Sequence, residues 1–470
     1  MKNKTLIRTA AVAVTLSLAL PFASCSKDFS NTADGGHAIE IKGETKEYSD
    51  IKISKTGDSS SGDEADFYGD NAAVFATDEA TLTLKNITVD TDGTHANAVF
   101  SYGEGTTVNI SDSVITTKGN CSGGLMTTGG GTMNASNLTI NTSGNSSAAI
   151  RSDRGGGTVN VTGGSYKTEG CGSPAIYSTA DITVSDASLE STSSEGVVVE
   201  GKNSVTLNNV TLKADHSKLN SDKSDNQNAV MIYQSMSGDA AQGLAAFTMN
   251  GGSVTNAKGD IFFVNNTAAD ITLTDVKIVN NDPDGVFLKA AAAGWRNEGS
   301  NGGKVNLTLS KETLEGDITV DSISAVNLYL KSGTVYSGAV TSGIDNNDET
   351  GEVYVEIESG SKWVLTADSY ITSLTCDADG IDLNGHELYV NGEKYVSGTD
   401  SKGSAIEIKT ESSSNGTADG MLGEPPDGMP GDPPSGDPPD GMPGEPPSGE
   451  RPEGTPPGGE PPAKPDEQDD

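Results

Sequence analysis

A repeat of about 24 residues is the feature that most constrains what this chain can fold into. Segments that alternate apolar and polar residues, such as TLTLKNITV and TVNISDSVI, recur along the chain. The first apolar position of successive repeats is occupied by Leu82, Val108, Met133, Val159, Ile182, Val205, Phe247 and Ile271. A unit this short cannot bury an apolar face by itself, so successive repeats must stack on one another.

A second apolar column precedes the first one in each repeat and consists of triplets of apolar or small residues. The triplets begin at Ala73, Ala98, Gly124, Ala148, Pro174, Val197, Val230, Ile261 and Val286. Each repeat therefore supplies three short strands. We predict an all-β fold, a right-handed parallel β-helix of about a dozen rungs spaced about 4.8 Å apart, with a C-terminal β cap and a disordered tail.

The position between the two halves of the main motif is occupied only by asparagine, aspartate and glycine. Its members are Asn86, Asp112, Asn137, Gly163, Asp186, Asn209, Gly251 and Asp275. These residue types tolerate the left-handed backbone that a sharp bend between strands requires, so we interpret the column as turns rather than as calcium ligands. It resembles the asparagine ladder of pectate-lyase-like β-helices, and residues 360–392 resemble a passenger repeat of autotransporter-type adhesins.

Polar residues flank the first apolar column and are mostly threonine and asparagine, for example Thr81, Thr107, Asn109 and Asn134. Threonine and asparagine suit solvated strands, which is the interpretation we adopt. A flat threonine ladder that binds ice or a regular polysaccharide surface is the alternative.

The start of the chain is typical of a targeting signal rather than of folded structure. A basic head of Lys2, Lys4 and Arg8 precedes an apolar run at residues 9–20. The segment that ends at Cys25 resembles a bacterial lipobox, which implies cleavage after residue 24 and lipidation of Cys25. We therefore expect export and anchoring to the bacterial cell surface, with membrane contact only through the N-terminal lipid. An ordinary secretory signal that contains a cysteine is the alternative.

Composition changes along the chain divide it into five predicted segments. These are a lipoprotein signal at 1–24, a tether and N-terminal cap at 25–45, the main β-helix at 46–303, continuing β-helix and C-terminal cap at 304–410, and a tail at 411–470. The tail holds 16 of the 19 prolines, without a strict glycine period, and is predicted to be disordered.

The net charge of the chain limits the classes of partner that it can bind. The formal net charge is −37 at pH 7, which argues against nucleic acid as a partner and favours divalent cations or basic partners. Beyond the lipobox, the three cysteines Cys121, Cys171 and Cys376 are an odd number, so no disulfide framework is expected and we interpret them as small buried residues. The four histidines are interpreted as surface or turn residues, and no Cys/His spacing is typical of zinc.

Arg151, Asp153 and Arg154 form a compact charged cluster in an otherwise neutral stretch. They are the catalytic candidates, because β-helix lyases of the pectate-lyase type use acids to hold calcium and an arginine or lysine as the base. A solvated turn with a local ion pair is the alternative.

Acid-rich turns supply the candidates for a metal site. Asp282 and Asp284 lie in one turn, and Asp345 and Asp348 lie in another. Neither turn has EF-hand spacing. Calcium therefore stays an open cofactor, and we predict no other.

Three insertions mark the place where a binding cleft is expected, since loops beside regular rungs commonly carry function. They are Lys213–Asn228, Gln234–Gly243 and residues 285–303. Trp295 and Arg296 in the third insertion and Tyr233, next to the second, are the predicted ligand-binding residues. A tryptophan beside an arginine can stack on a sugar or hold a carboxylate. Packing of Trp295 over the β-helix as a lid is the alternative.

We therefore expect a lipid-anchored, adhesin-like or carbohydrate-binding surface protein without catalysis, whose target is a polysaccharide or a host or cell-surface component. One alternative is a polysaccharide lyase or glycoside hydrolase acting on acidic polysaccharide, which the fold alone does not establish. Another is a structural stalk of the envelope, which predicts no preferred binding face.

Overall fold

A computed structural model describes residues 28–342 and 351–410 of the chain. These residues form a right-handed parallel β-helix, as the repeat predicts. Each full rung contributes three strands, and alternate side chains of each strand point into a shared core.

The first half of the β-helix contains the most regular rungs and the only α-helix of the described residues. Its elements are β1 (Asp28–Asn31), β2 (Ile39–Lys42), β3 (Thr45–Ser49), β4 (Lys52–Lys55), α1 (Gly62–Tyr68), β5 (Val74–Thr77), β6 (Thr81–Lys85), β7 (Thr88–Thr91), β8 (Val99–Tyr102), β9 (Thr107–Ser111), β10 (Val114–Thr117), β11 (Leu125–Thr128), β12 (Gly131–Ser136), β13 (Thr139–Thr142), β14 (Ile150–Ser152), β15 (Gly157–Thr162), β16 (Ser165–Thr168), β17 (Ile176–Ser178), β18 (Asp181–Ser185), β19 (Ser188–Ser191) and β20 (Val197–Glu200).

The second half has longer strands and longer connections. Its elements are β21 (Ser204–Ala214), β22 (Asn228–Tyr233), β23 (Leu244–Asn256), β24 (Asp260–Asn265), β25 (Ala268–Thr274), β26 (Lys277–Asn280), β27 (Leu288–Ala290), β28 (Lys304–Ser310), β29 (Thr313–Glu315), β30 (Ile318–Val320), β31 (Ala325–Lys331), β32 (Val335–Ser337), β33 (Val340–Ser342), β34 (Glu352–Ile357), β35 (Lys362–Val364), β36 (Ser369–Ile371), β37 (Ser373–Cys376), β38 (Ile381–Asp382), β39 (Leu388–Val390), β40 (Glu393–Lys394) and β41 (Ser401–Lys402).

The strands stack into two long sheets. Within the described ranges, twelve strands from β2 to β33, one per rung, form a 12-stranded sheet, which we call sheet B. The main-motif strands form a 22-stranded sheet, which we call sheet A. In sheet A, Leu82 pairs with Val108, Met133 pairs with both Val108 and Val159, and the register continues to Ile271. The predicted first column is therefore confirmed, and the twelve strands match the predicted dozen rungs.

The bend between the two strands of the main motif has the predicted left-handed backbone. The asparagine and aspartate members of the turn column have φ between 51° and 55°, and the two glycines are also positive. Their side chains bond from rung to rung, since Asn137 Nδ2 donates to Asp112 Oδ1 at 3.2 Å and Asn209 Nδ2 donates to Asp186 Oδ1 at 2.7 Å. The column therefore serves as turns whose amides and carboxylates cap one another.

A single continuous core runs along the inside of the rungs. Leu82, Val108 and the other first-column residues are almost completely buried in it. Aromatic rings contact one another in the middle of this core. Phe262 lies edge to face with Phe247 and with Phe287, at 5.4 Å and 5.7 Å between ring centroids. Such pairs add stabilisation beyond the area that they bury.

The second apolar column has a different register from the predicted one in five rungs. Leu125 pairs with Ile150 and Met126 with Arg151, so the triplet that aligns with Gly124 begins at residue 149 rather than at Ala148. The triplets predicted to begin at Pro174 and Val286 also begin one residue later, whereas those predicted to begin at Val197 and Val230 begin one residue earlier. Side chains alternate between the two sides of a strand, so this shift exchanges the inward and outward residues.

The two ends of the stack are built differently. At the start, strands β1 and β2 pair in parallel with β4 and β5. At the other end, β41 pairs with β37 and β40 pairs with β39 in antiparallel orientation. No helix of the described residues is long and apolar enough to cross a bilayer.

The three cysteines of the described region are free thiols. Cys376 is buried, as predicted. The prediction of burial is wrong for Cys121 and Cys171, which are only half-buried because they lie in the turns that connect one rung to the next.

Candidate functional site

The outward face of sheet B carries an unusual column of apolar and charged side chains. In register, the column consists of Phe75, Phe100, Met126, Arg151, Tyr177, Val198, Met231, Phe263 and Lys289. Outward apolar residues on a solvated sheet are unfavourable unless another segment covers them. Three inserted segments cover this column, and the candidate site lies under two of them.

Helix α1 covers the first part of the column. Phe75, Phe100 and Met126 form a small apolar cluster, and Tyr68 of α1 contacts Tyr102 edge to face at 5.8 Å. The helix ends at Gly69, whose φ of 80° is left-handed and which lies so close to Phe75 that a Cβ atom would clash with the ring. α1 therefore packs directly on the sheet.

The inserted segments at 213–228 and 285–303 cover the second part. Val198, Met231 and Phe263 cluster with Ala291, and Tyr233 and Trp295 pack against them. The rings of Tyr233 and Trp295 meet edge to face, with centroids 5.1 Å apart. The alternative prediction, that Trp295 packs over the β-helix, thus describes part of its environment.

Trp295 also forms a wall of a cavity of about 200 Å³. The other walls include Tyr177 and Tyr233 from sheet B, and Glu195 and His216 at the back. We call this space the aromatic cavity. Trp295 and Tyr233 are half-buried, so each ring keeps part of its surface available.

A buried carboxylate holds the two tyrosines of the aromatic cavity. Glu200 Oε2 accepts hydrogen bonds from the hydroxyl groups of Tyr177 and, at 3.3 Å, of Tyr233, while Ser235 Oγ donates to Oε1. Burial is the main cause that raises the pKa of both tyrosines, and the neighbouring tyrosine and Glu200 raise that of Tyr177 further. Both phenols therefore stay protonated and act as donors.

His216 and Glu195 form a second polar pair in the aromatic cavity. His216 is almost fully buried, and its Nδ1 accepts a hydrogen bond from the backbone N–H of Asn228 at 3.2 Å. This bond places the proton on Nε2, which lies 3.7 Å from Glu195 Oε1 and has no hydrogen-bond partner within the described part of the chain. A buried N–H group without a partner is costly, so this nitrogen favours a ligand that accepts a hydrogen bond from it. Of the two predicted alternatives for His216, a surface or a turn residue, the surface position is wrong because the side chain is buried.

Arg296 lines a separate cavity of about 230 Å³, which we call the basic cavity. Lys304 and Lys409 also line it, together with Gln234 and Asn266. The carbonyl oxygens of these two buried amides have no hydrogen-bond partner among the described residues. Since Tyr233 precedes Gln234 and Trp295 precedes Arg296 in the chain, the aromatic and basic cavities are neighbours.

The predicted catalytic cluster is divided between two environments. Arg151 donates two hydrogen bonds to Asp153 Oδ2, from Nε at 3.0 Å and from Nη2 at 2.6 Å, and both side chains are largely buried. The expected solvated turn is therefore wrong for this pair, although the ion pair exists. Arg154 instead bonds Asp239 and lies 3.9 Å over the Phe67 ring, so the three residues do not share one cleft.

Of the predicted calcium candidates, Asp282 is engaged within the protein, whereas Asp284 is exposed. Asp282 accepts hydrogen bonds from the backbone N–H groups of Gly259 and Asp284, and the Lys258 ammonium lies 3.0 Å from its carboxylate. These donors lower the pKa of Asp282 to about 2. Lys258 occupies the place where a cation would bind Asp282. Asp345, Asp348, Cys25 and the segments at 1–24 and 411–470 lie outside the described residues.

The structure thus brings Tyr233 and Trp295 together and places Arg296 in the neighbouring cavity. The sequence analysis missed Tyr177, Glu200, Glu195 and His216. Tyr177 was recoverable in principle, because the correct register of the second column places it in line with Arg151. No known family model and no curated protein matches this chain, so the site rests on its own geometry.

Proposed function

We propose that this chain binds carbohydrate through the aromatic cavity and acts as a non-catalytic, adhesin-like protein of the bacterial cell surface. The observation that carries the proposal is the pair of half-buried rings, Tyr233 and Trp295, beside tyrosine hydroxyl groups that donate to Glu200 and whose oxygens can accept a hydrogen bond from a sugar hydroxyl. Sugars present both apolar C–H faces and hydroxyl groups, so binding sites for them combine aromatic rings with a few placed polar groups.

The basic cavity supports an acidic group on the bound sugar. Arg296, Lys304 and Lys409 lie together there in a chain whose net charge is −37. A local cluster of cations determines which ligand group binds next to it, whereas the net charge acts over longer distances and is screened by salt. We therefore expect a glycan whose ring stacks on Trp295 and whose carboxylate or sulfate faces Lys304.

The lipobox resemblance supports the proposed location. Lipidation of Cys25 would fix the start of the chain to a membrane, and the stacked rungs would present the cavity away from it. The resemblances to pectate-lyase-like β-helices and to autotransporter-type adhesins agree with recognition of a polysaccharide or of a host surface component.

A glycan array tests the proposal on the full chain, with and without calcium, followed by calorimetric titration of the best ligand. Trp295→Ala is expected to weaken binding roughly tenfold or more, as removal of a central aromatic contact commonly does. Tyr370→Ala is the matched control, because Tyr370 is an exposed ring that stacks on Tyr389 in the C-terminal sheet. Equal binding by the Trp295→Ala variant and the parent chain would contradict the proposal.

A second candidate function is cleavage of an acidic polysaccharide, and the buried His216–Glu195 pair favours it. An imidazole beside a carboxylate can transfer a proton when a substrate oxygen lies within hydrogen-bond reach. Product analysis on the array ligands separates the two functions. Shortened or unsaturated products that disappear in His216→Gln would establish catalysis, whereas binding without products supports the adhesin-like function. A structural stalk predicts neither.

A further inference from the structure

Three side chains with metal-binding atoms meet beside helix α1, away from the aromatic cavity. One oxygen of Asp66, one ring nitrogen of His95 and the sulfur of Cys121 all lie within 4.8 Å of one another. Asp66 Oδ1 and His95 Nδ1 are 3.1 Å apart. The three residues are 29 and 26 positions apart in the chain, so no short sequence motif joins them.

The stacking of rungs brings His95 and Cys121 together. The backbone N–H of His95 donates to Asn120, and that of Cys121 donates to Asn145, so the two residues hold the same position in successive turns. Both have a left-handed backbone with φ of 55°. Cysteine seldom adopts this conformation, which asparagine, aspartate or glycine adopt at lower cost. A cysteine kept at a strained position points to a role for its side chain.

Helix α1 supplies the third residue and holds it in place. Ser61 caps the start of the helix by accepting the N–H of Glu64, and Gly69 ends it. Thr128 Oγ1 donates to the carbonyl of Phe67 at 2.7 Å, which ties the helix to the neighbouring rungs. Asp66 is thereby presented to His95 from a rigid element, as a metal site requires.

The nearest cation to the cluster, the Arg151 guanidinium group, is paired mainly with another carboxylate. Arg151 Nη2 lies 3.6 Å from Asp66 Oδ2, but the same guanidinium group forms its shorter contact, of 2.6 Å, with Asp153. A carboxylate and a thiolate would together neutralise a divalent ion. Metal binding must displace the thiol proton of Cys121, so affinity is expected to rise with pH.

The three ligand atoms, a carboxylate oxygen, an imidazole nitrogen and a sulfur, favour some metals over others. A thiolate and an imidazole are poor ligands for calcium and magnesium, which bind oxygen. A cysteine, a histidine and a carboxylate suit zinc, whose tetrahedral shell would keep a fourth position for water or another ligand. Zinc requires ligand distances of about 2.0–2.3 Å, which small side-chain rotations from the present separations supply. We propose that Asp66, His95 and Cys121 form a binding site for zinc or a similar transition metal.

Calorimetric titration of the full chain with Zn²⁺ tests the proposal, in excess calcium so that exposed carboxylates are saturated. We expect one equivalent to bind. Co²⁺ at the same site should produce a thiolate-to-cobalt charge-transfer band. Cys121→Ser should remove the band and weaken zinc binding by about tenfold or more. Serine fits this position, because Ser146 holds it in the next rung with φ of 54°.

Two further variants complete the test. His95→Asn retains a residue that accepts the left-handed backbone and should weaken zinc binding similarly. Cys171→Ser is the matched control, since Cys171 is a half-buried free thiol one rung beyond Ser146, away from Asp66. Absence of stoichiometric zinc binding would overturn the proposal, as would a cobalt band that survives Cys121→Ser or disappears in Cys171→Ser. Circular dichroism confirms that each variant is folded.

Discussion

The two outer faces of the β-helix differ in what their side chains contact. On sheet A, the outward side chains of β9, β12 and β15 are polar, and their asparagines pair with one another. Asn134 Nδ2 donates to Asn109 Oδ1 and Asn160 Nδ2 donates to Asn134 Oδ1, both at 3.0 Å. On sheet B, the outward side chains include Phe75 and Phe100, which lie under α1. Both faces belong to the same rungs and share one core.

This difference teaches where function can arise in a repeat protein. The ladder of sheet A satisfies its own amides and needs no other segment. The column of sheet B requires covering segments, and the spaces left beneath and beside them form the aromatic cavity and the Asp66–His95–Cys121 cluster. Insertions between regular rungs therefore create these spaces, while the rungs supply rigid positions for the side chains that line them.

The largest expected effect compares a covered with an open outward residue. Phe100→Ala should lower the free energy of unfolding by about 4 kcal/mol, because it leaves a cavity between α1 and sheet B. Asn134→Ala, the matched change on sheet A, should cost less than about 1 kcal/mol, since its solvent-accessible amide can be replaced by water. Denaturant unfolding monitored by circular dichroism measures both. Equal losses would show that α1 does not stabilise this face.

A second comparison concerns two neighbouring ion pairs. Asp153→Ala should cost about 3 kcal/mol, because it leaves the Arg151 guanidinium buried without its main partner. Asp239→Ala should cost less than about 1 kcal/mol, because its partner Arg154 is 44% exposed and can be solvated. The same unfolding assay applies. If only Asp239→Ala caused a large loss of stability, the Arg154–Asp239 pair rather than the Arg151–Asp153 pair would be the one that stabilises the fold.

The smallest expected effect depends on pH and concerns a buried carboxyl group beside sheet A. Burial raises the pKa of Glu312 to about 7, although its Oε1 accepts the N–H of Val276. A raised carboxyl pKa means that its stabilising contribution is complete below the unfolded pKa and is lost as pH rises towards 7. We expect a loss on the order of 2 kcal/mol between pH about 4 and pH about 8.

Glu312→Gln keeps the acceptor without the charge, so it should remove this part of the pH dependence. Asp282→Asn tests a pH dependence of stability with the opposite sign. The pKa of Asp282 is lowered to about 2, so the stability that its carboxylate contributes is lost only as pH falls through that value. Melting temperatures across the pH range measure both effects. A Glu312→Gln variant with the parent pH profile would contradict the burial of a neutral carboxyl group.

The first apolar column and the turn column could be predicted because their chemistry allows one register only. Alternation places one side of each strand inward, and only asparagine, aspartate and glycine fit the bend. The second column was less determined. In Ala148-Ala149-Ile150, three apolar residues follow one another, so two registers bury a similar surface and composition does not choose between them.

Among the residues that line the candidate site, the sequence pointed only to those in or next to an insertion, as for Trp295. His216 and Glu195 meet because one inserted segment folds back over the sheet, which depends on packing rather than on local pattern. Likewise, His95 and Cys121 are 26 residues apart in the chain and become neighbours only because successive rungs stack their turns on one another.

The antiparallel strand at the C-terminal end has a consequence for assembly. A parallel stack exposes a backbone edge that could template the first rung of another copy, and so produce a filament. β41 runs against the direction of β37, so a copy docking there would meet a strand of the wrong polarity. The β-helix is thus terminated at this end by strand direction, which limits polymerisation without requiring charged or bulky residues.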